Sequence, residues 1–206
     1  MNGIGQAVFS GCSSMVSVTL PNTITSIGAY AFMSCSSLTS IEIPSSVTII
    51  NIYAFNLCSS LTSVEIPGSV KDLAQGAFQQ CIGLQTVKIA DGVTTLKNNV
   101  FKDCPSLTDL YCYSEQVPSA SENAFENSFE NATLHVPSSA LDTYKSTSPW
   151  SQFQSIVALT NEETGIEETL SPLPLKEGGL FNLNGQRINS LQKGLNIEDG
   201  KKVWVK

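Results

Sequence analysis

Catalysis and metal binding need side chains in particular patterns, and few patterns of that kind occur in this chain. It has six cysteines and one histidine, His135. Cys12, Cys35, Cys58, Cys81 and Cys104 follow one another at a constant 23-residue interval. That interval cannot surround a single zinc ion, and there is no Cys-x-x-Cys pair. Equivalent residues on neighbouring strands stack about 4.8 Å apart with parallel Cα–Cβ vectors, a geometry poorly suited to a disulfide. The series is therefore expected to be a ladder of buried free thiols acting as small hydrophobes. Cys112, in an inward strand slot, gets the same expectation. Glu42 and Glu65 could imitate the paired carboxylates of a glycosidase. On an open face, however, desolvation is too weak to raise either pKa, and two carboxylates are too few for calcium. No Ser or Cys lies in a nucleophile-elbow context near His135, and no phosphate- or dinucleotide-binding glycine loop is present. The expectation is a chain that is not an enzyme and needs no cofactor and no metal.

The thiol interval belongs to a larger pattern. Phe9, Phe32, Phe55, Phe78 and Phe101 keep the same 23-residue spacing. Met15, Leu38, Leu61, Leu84 and Leu107 follow in phase. Behind them come Val18, Ile41, Val64, Val87 and Leu110, then Leu20, Ile43, Ile66, Ile89 and Cys112. Pro21, Pro44 and Pro67 close the first three units, and Ala90 stands in that place in the fourth. A second apolar pair recurs as Ile24 and Ile27, Val47 and Ile50, Val70 and Leu73, Val93 and Leu96.

In Leu38-Thr39-Ser40-Ile41-Glu42-Ile43 the apolar residues alternate with polar ones, which predicts a strand with one face inward. One short strand per unit cannot bury its own apolar face, so the units must stack. The expected product is a solenoid: a right-handed superhelix with a parallel sheet on a concave face. Its return segments should be short and helical or extended, with Gly28 and Gly76 in turns. After Tyr113 the period slips, and Ala124-Phe125 restarts the unit one residue late. Thr133-Leu134-His135-Val136-Pro137 is then expected to be the last strand. Ser138 through Lys145 should form a helix capped by serine. Tyr144, Trp150 and Phe153 should cover the open end, with an aromatic ligand platform as the alternative.

Three segments result. The solenoid spans 1–159, with its C-terminal cap from about 121. An acidic, proline-containing linker spans 160–179. A small β-hairpin segment of three or four strands spans 180–206, where Asn184-Gly185 and Asp199-Gly200 are hairpin-turn signals. Met1-Asn2-Gly3 leads straight into repeat sequence, with no strand expected before Ala7-Val8-Phe9. A signal peptide is therefore expected upstream or already removed.

The Leu-x-x-Ile-x-Ile core and the 23-residue period are those of leucine-rich repeats. With Ala-Phe-x-x-Cys and the following Pro, residues 7–112 resemble the BspA-like repeats in particular. The cap, from Leu134-His135-Val136-Pro137 through Pro149-Trp150 and Phe153, is similar to the way such arrays end. The tail resembles C-terminal segments of secreted Bacteroidetes proteins, some of which are sorting signals for outer-membrane export. The residues carrying that likeness are Phe181 through Arg187, Lys193 through Ile197 and Asp199 through Lys206. The resemblance implies a secreted or cell-surface protein, in a group associated with adhesion to host matrix proteins and other bacteria.

Composition narrows the partner. Eleven Lys and Arg against eighteen Asp and Glu give a net charge of -7, which disfavours nucleic acid. No apolar run approaches the roughly 18 residues of a membrane span. Charged residues are only 14% of the chain, and Ser and Thr take many surface positions. One outward column reads Thr19, Glu42, Glu65, Lys88, Tyr111, His135, and its neighbour Ser17, Ser40, Ser63, Thr86, Asp109, Thr133. Glu65 and Lys88 should attract across adjacent strands. Glu42, Glu65, Lys88, Tyr111 and His135 are the candidate ligand-binding residues, with Tyr113 a possible extension. The expected partner is an extracellular protein bound on the concave face. A glycan ligand and a ligand-free structural spacer are the alternatives.

Overall fold

The computed structural model describes residues 2–160 throughout. Beyond them it describes residue 163 and the strand backbone at 180–181, 187–188, 194–198 and 201–205. The chain divides into two compact units, Met1–Thr160 and Asn161–Lys206.

The first unit is a solenoid with two parallel sheets. In Ser63–Ile66, Val64 and Ile66 are buried while Ser63 and Glu65 are exposed. Thr86–Ile89, Asp109–Cys112, Thr133–Val136 and Ser155–Ala158 stack onto it in order, all parallel. The register sets Val64 opposite Val87 and Val87 opposite Leu110. This is the main sheet. The return path is extended, not helical. Gly3–Ile4, Ser26–Ile27, Ile49–Ile50, Asp72–Leu73, Thr95–Leu96 and Ser119–Ala120 form a second, six-stranded parallel sheet.

A backbone feature invisible in the hydrophobic pattern explains why helices do not form there. In each of the first five coils two residues adopt left-handed conformations, one on each side of the ladder phenylalanine, and the Phe125 coil has one, after the ring. The first column is Ala7, Tyr30, Tyr53, Gly76 and Asn99, and the second is Gly11, Ser34, Leu57, Gln80, Asp103 and Asn127. A right-handed helix cannot pass through such residues. Gly76, Asn99, Asp103 and Asn127 suit the conformation well.

Several expectations need correction. The first coil does contain a strand before Ala7, since Gly3–Ile4 pairs with Ser26–Ile27. The main sheet starts later than the pattern predicts: residues 41–43 form no regular strand, and Ser40 makes only an isolated bridge to Ser63. Proline accounts for this. Ala90 donates its N–H to the Ile66 carbonyl at 3.0 Å, and Tyr113 donates to Ile89 at 3.0 Å. Pro44 and Pro67 have no N–H to offer Leu20 and Ile43, so those rungs are missing. Pro137 acts the same way, and its strand pairs with Asp109–Cys112 through three residues, against four on that strand's other side. Thr133–Val136 is not the last strand either, because Ser155–Ala158 adds one more.

Inside the coils, like residues stack on like. Phe9, Phe32, Phe55, Phe78, Phe101 and Phe125 form one continuous aromatic column, with ring centroids 5.0–5.8 Å apart and interplanar angles of 1–15°. The restart one residue late therefore keeps Phe125 in line. The thiols are free and, from Cys35 onward, buried. Cys12 is exposed, which departs from the expected buried ladder. The buried thiols also do more than fill space. The Sγ–H groups of Cys35, Cys58, Cys81 and Cys104 donate to the carbonyls of Phe9, Phe32, Phe55 and Phe78 at 3.1–3.4 Å.

Surface hydroxyls play the same linking part. Thr39, Thr62 and Thr108 donate to Val16, Thr39 and Gln85, and Thr48 and Thr94 donate to Thr25 and Lys71. Each bond joins residues 23 apart. Ser and Thr are used at these positions because a short hydroxyl reaches the carbonyl of the preceding coil, where a Lys or Glu side chain would overshoot it.

The cap closes the far end. Trp150 and Tyr144 are fully buried and Phe153 nearly so. Trp150 and Phe153 meet Phe125 at 59° and 72°, covering the last ring of the column. Tyr144 donates its hydroxyl to Ser114 O at 3.0 Å, and Trp150 donates Nε1–H to Pro118 O at 2.8 Å. These three residues are core, not a ligand platform. The serine-capped helix is replaced by a 3-10 turn at Ser138–Ala140 leading into a helix at Leu141–Ser146, and neither carries a side-chain cap.

In the second unit, Leu180–Phe181, Arg187–Ile188, Gly194–Glu198 and Lys201–Val205 make a four-stranded antiparallel sheet. Most of the expected linker, together with the turn residues Asn184, Gly185, Asp199 and Gly200, lies outside the described residues.

Candidate binding face

Glu65, Lys88, Tyr111 and His135 project from the outer face of the main sheet, where strand alternation turns every second side chain outward, and Glu42 lies on the coil before it, outside any regular strand. The five do not form one cluster. Lys88, Tyr111 and His135 lie in register on three adjacent strands, and the structure draws them together. The rings of Tyr111 and His135 stack with centroids 4.3 Å apart and an interplanar angle of 17°. Tyr113 continues the stack from Tyr111 at 6.4 Å. On the other side the Lys88 ammonium lies 5.9 Å from the Tyr111 ring centroid, within the range of a cation–π contact.

This placement corrects the expected attraction between Glu65 and Lys88. The two are register partners, but Lys88 makes no close ion pair with Glu65, such as the one that joins Lys102 to Glu126. The Lys88 side chain is directed to the tyrosine instead. A cation over a ring face gains from the ring's quadrupole, whereas an exposed ion pair contributes little.

Asp109 was legible only as a member of the neighbouring column. Its Oδ1 lies 3.0 Å from His135 Nε2, diagonally across the two strands. This carboxylate fixes the orientation of the imidazole on the tyrosine. A diagonal separation of two residues between adjacent strands is within side-chain reach, so the His and Asp positions carried the signal.

Glu42 and Glu65 sit apart, on the N-terminal side of the face. With Ser63 and Pro67 they line a shallow hollow of ≈ 360 Å³. The face is thus polarised. Two carboxylates occupy its first part, and a cation with stacked rings occupies the rest. No group of three or more metal-ligating side chains is present among the described residues, and none of their helices is long and apolar enough to cross a membrane.

Burial sets the thiols well apart from this face. Cys58 and Cys104 are each pushed up to about 12, and Cys112 to about 11, mainly by desolvation. Cys35 and Cys81 move in the same direction for the same reason. A buried neutral thiol is neither a ready nucleophile nor a ready metal ligand.

No curated protein matches the chain. Among solved structures it is similar to the pneumococcal vaccine antigen PcpA, with a TM-score of 0.63 and 18% identity over 78% of this chain and 42% of that one. It is also similar to a leucine-rich repeat protein from Eubacterium ventriosum, with a TM-score of 0.55 and 22% identity over 70% of this chain and 41% of that one. Both likenesses concern the fold, and the chain spans less than half of either protein. A T. pallidum leucine-rich repeat protein is 30% identical over 61% of this chain and 69% of that one, with a TM-score of 0.49. The model of the BspA-type leucine-rich repeat region matches residues 1–108 and 93–161, in six copies. Those matches take in the whole solenoid and its cap, and the chain belongs to the BspA-type leucine-rich repeat family.

Proposed function

We propose that the chain is a non-catalytic interaction module, displayed outside the cell, that binds a protein partner on the outer face of its main sheet. The observation carrying this reading is the assembly of Lys88, Tyr111 and His135 into one stacked row, braced by Asp109. Stacked rings held in place lose little side-chain entropy on binding. Tyrosine is also among the usual anchors of protein interfaces. The acidic part around Glu42 and Glu65 would then select for complementary charge on the partner and set its register. Surface display accords with the family and with PcpA being a vaccine antigen.

The test is binding of the full chain, immobilised, to a panel of matrix proteins and mucins. Its control carries Lys88, Tyr111 and His135 all changed to Ala. Binding lost in the triple variant, with unchanged circular dichroism, is the expected result. Binding indifferent to the change would refute the assignment of the face. Stacked Tyr111 and Tyr113 favour a second reading, a glycan ligand, which a glycan array tests directly.

A further inference from the structure

Asp109 stands between two basic side chains. In the register of the main sheet Lys88, Tyr111 and His135 lie opposite one another, and Asp109 lies opposite Thr86 and Thr133. The carboxylate is therefore two residues out of register with Lys88 on one side and with His135 on the other, a diagonal that long side chains bridge. Only one of the two diagonals is closed. Asp109 Oδ1 lies 3.0 Å from His135 Nε2, with the imidazole 13% exposed and the carboxylate 38%. Lys88 holds its ammonium over the Tyr111 ring instead, 5.9 Å from the centroid.

The two contacts open to Lys88 are close in strength, because an exposed ion pair and an exposed cation–π contact are both weak. One unit of charge beside the carboxylate is enough to decide between them. His135 can supply it, since histidine is the side chain that ordinarily gains or loses its charge between about pH 5 and 8. Protonated, it neutralises Asp109 at hydrogen-bond distance and leaves the carboxylate little to offer Lys88. Neutral, it leaves that negative charge uncompensated, with Lys88 in diagonal reach. Around the pair, among the described residues, stand Tyr111 and Tyr113, and Glu65 in register with Lys88. Phenols and carboxylates ordinarily titrate outside that range. On the strand to the other side, Val157 lies opposite His135 and Ser155 opposite Thr133, and neither carries a charge.

We propose that Asp109 is exchanged between His135 and Lys88 as the imidazole gains and loses its proton, which makes the row a pH-operated element. On the acid side His135 holds the carboxylate and Lys88 lies on Tyr111. On the alkaline side Lys88 crosses to Asp109, and the ring face it covered opens. These are two discrete arrangements of the same side chains, as a charge switch requires. The consequence for binding rests on the reading of this face given above: a partner anchored by the completed row binds more tightly in acid.

The exchange is tested on the full chain without any partner, by nuclear magnetic resonance of protein carrying isotope-labelled lysine, from about pH 5 to about pH 8. At the acid end the Lys88 Cε protons should show through-space contacts with the Tyr111 ring and an upfield shift from it. Both should be lost toward the alkaline end, in step with the titration of the His135 ring protons. In Asp109→Asn the ring contact should persist at every pH. In His135→Gln, which cannot take up a proton, it should be missing at every pH. Circular dichroism confirms that both variants are folded. A ring contact that does not change with pH in the wild type, or a change that survives in either variant, would overturn the proposal. The readout is intramolecular, so it succeeds or fails separately from the binding of matrix proteins and mucins.

Discussion

Phe55 offers the clearest test of how the solenoid is held together. Its ring is fully buried and lies between Phe32, at 5.2 Å and 1°, and Phe78, at 5.0 Å and 7°. Truncation to alanine removes both the burial and the two stacks. It should cost about 3–5 kcal/mol. Leucine keeps most of the burial but loses the ring contacts, so Phe55→Leu should cost about 1–3 kcal/mol, from two stacks at about 0.5–1.5 each. Phe9 has one stacking partner and is only partly buried, so Phe9→Ala should cost clearly less than Phe55→Ala. Urea unfolding followed by circular dichroism measures the series, with amide exchange to show where the array opens. In a stacked array the loss falls on the interfaces with both neighbours. Exchange should therefore rise first between residues 32 and 78, not uniformly. A Phe55→Leu variant as stable as wild type would refute the claim that ring stacking contributes beyond burial. A Phe9→Ala variant as damaged as Phe55→Ala would refute the nearest-neighbour picture.

Further outcomes follow from other contacts. The buried thiols titrate higher in the folded chain than their ordinary value of 9.0, Cys58 and Cys104 near 12. The folded state thus holds those protons more tightly. Their contribution is complete below pH 9 and is lost as pH rises toward 12, by about 1.4 kcal/mol per pH unit per thiol. Cys58→Ala should flatten that slope in urea titrations at stepped pH, and an unchanged slope would contradict it. Gly76→Ala should destabilise by about 1–3 kcal/mol, because φ there is +61° and the added Cβ would run into the Tyr53 ring. Adding Tyr53→Ala should recover part of the loss in a thermal melt. At Leu57, Asn should be tolerated within about 0.5 kcal/mol while Val costs about 1–2, because only the former accepts a left-handed backbone. Tyr144→Phe should cost about 1–1.5 kcal/mol by orphaning the Ser114 carbonyl, and a neutral result would mean that water replaces the hydroxyl.

The solenoid was legible in the sequence because stacking forces every coil to repeat the same inward choices. Phe, Cys, Leu and the strand pair therefore recur in phase. The two left-handed columns escaped because that conformation leaves only a loose mark: Tyr30, Tyr53 and Leu57 occupy it as well as Gly76 and Asn99. Read in phase, Gly11, Gly76, Asn99, Asp103 and Asn127 were the available signal. The shortened main sheet was also written in the chain, as Pro44 and Pro67, but its meaning depends on knowing which carbonyl each missing N–H would have served. On the candidate face, outward positions followed from alternation alone. Which of them cluster did not, because the reach of Lys88 to Tyr111 and of Asp109 to His135 depends on side-chain direction.

The hydroxyl, thiol and ring ladders share one property: each links a residue to another 22–27 positions away. Contacts of the solenoid body therefore hardly reach beyond one coil, and the loop closed at each step is always the same size. Each added coil then meets the same closure entropy as the one before, so folding can start at any coil and advance outward. The same uniformity makes length an open parameter for evolution. Duplication or deletion of a 23-residue unit moves the cap and the Lys88–Tyr111–His135 row along the axis without redesigning either.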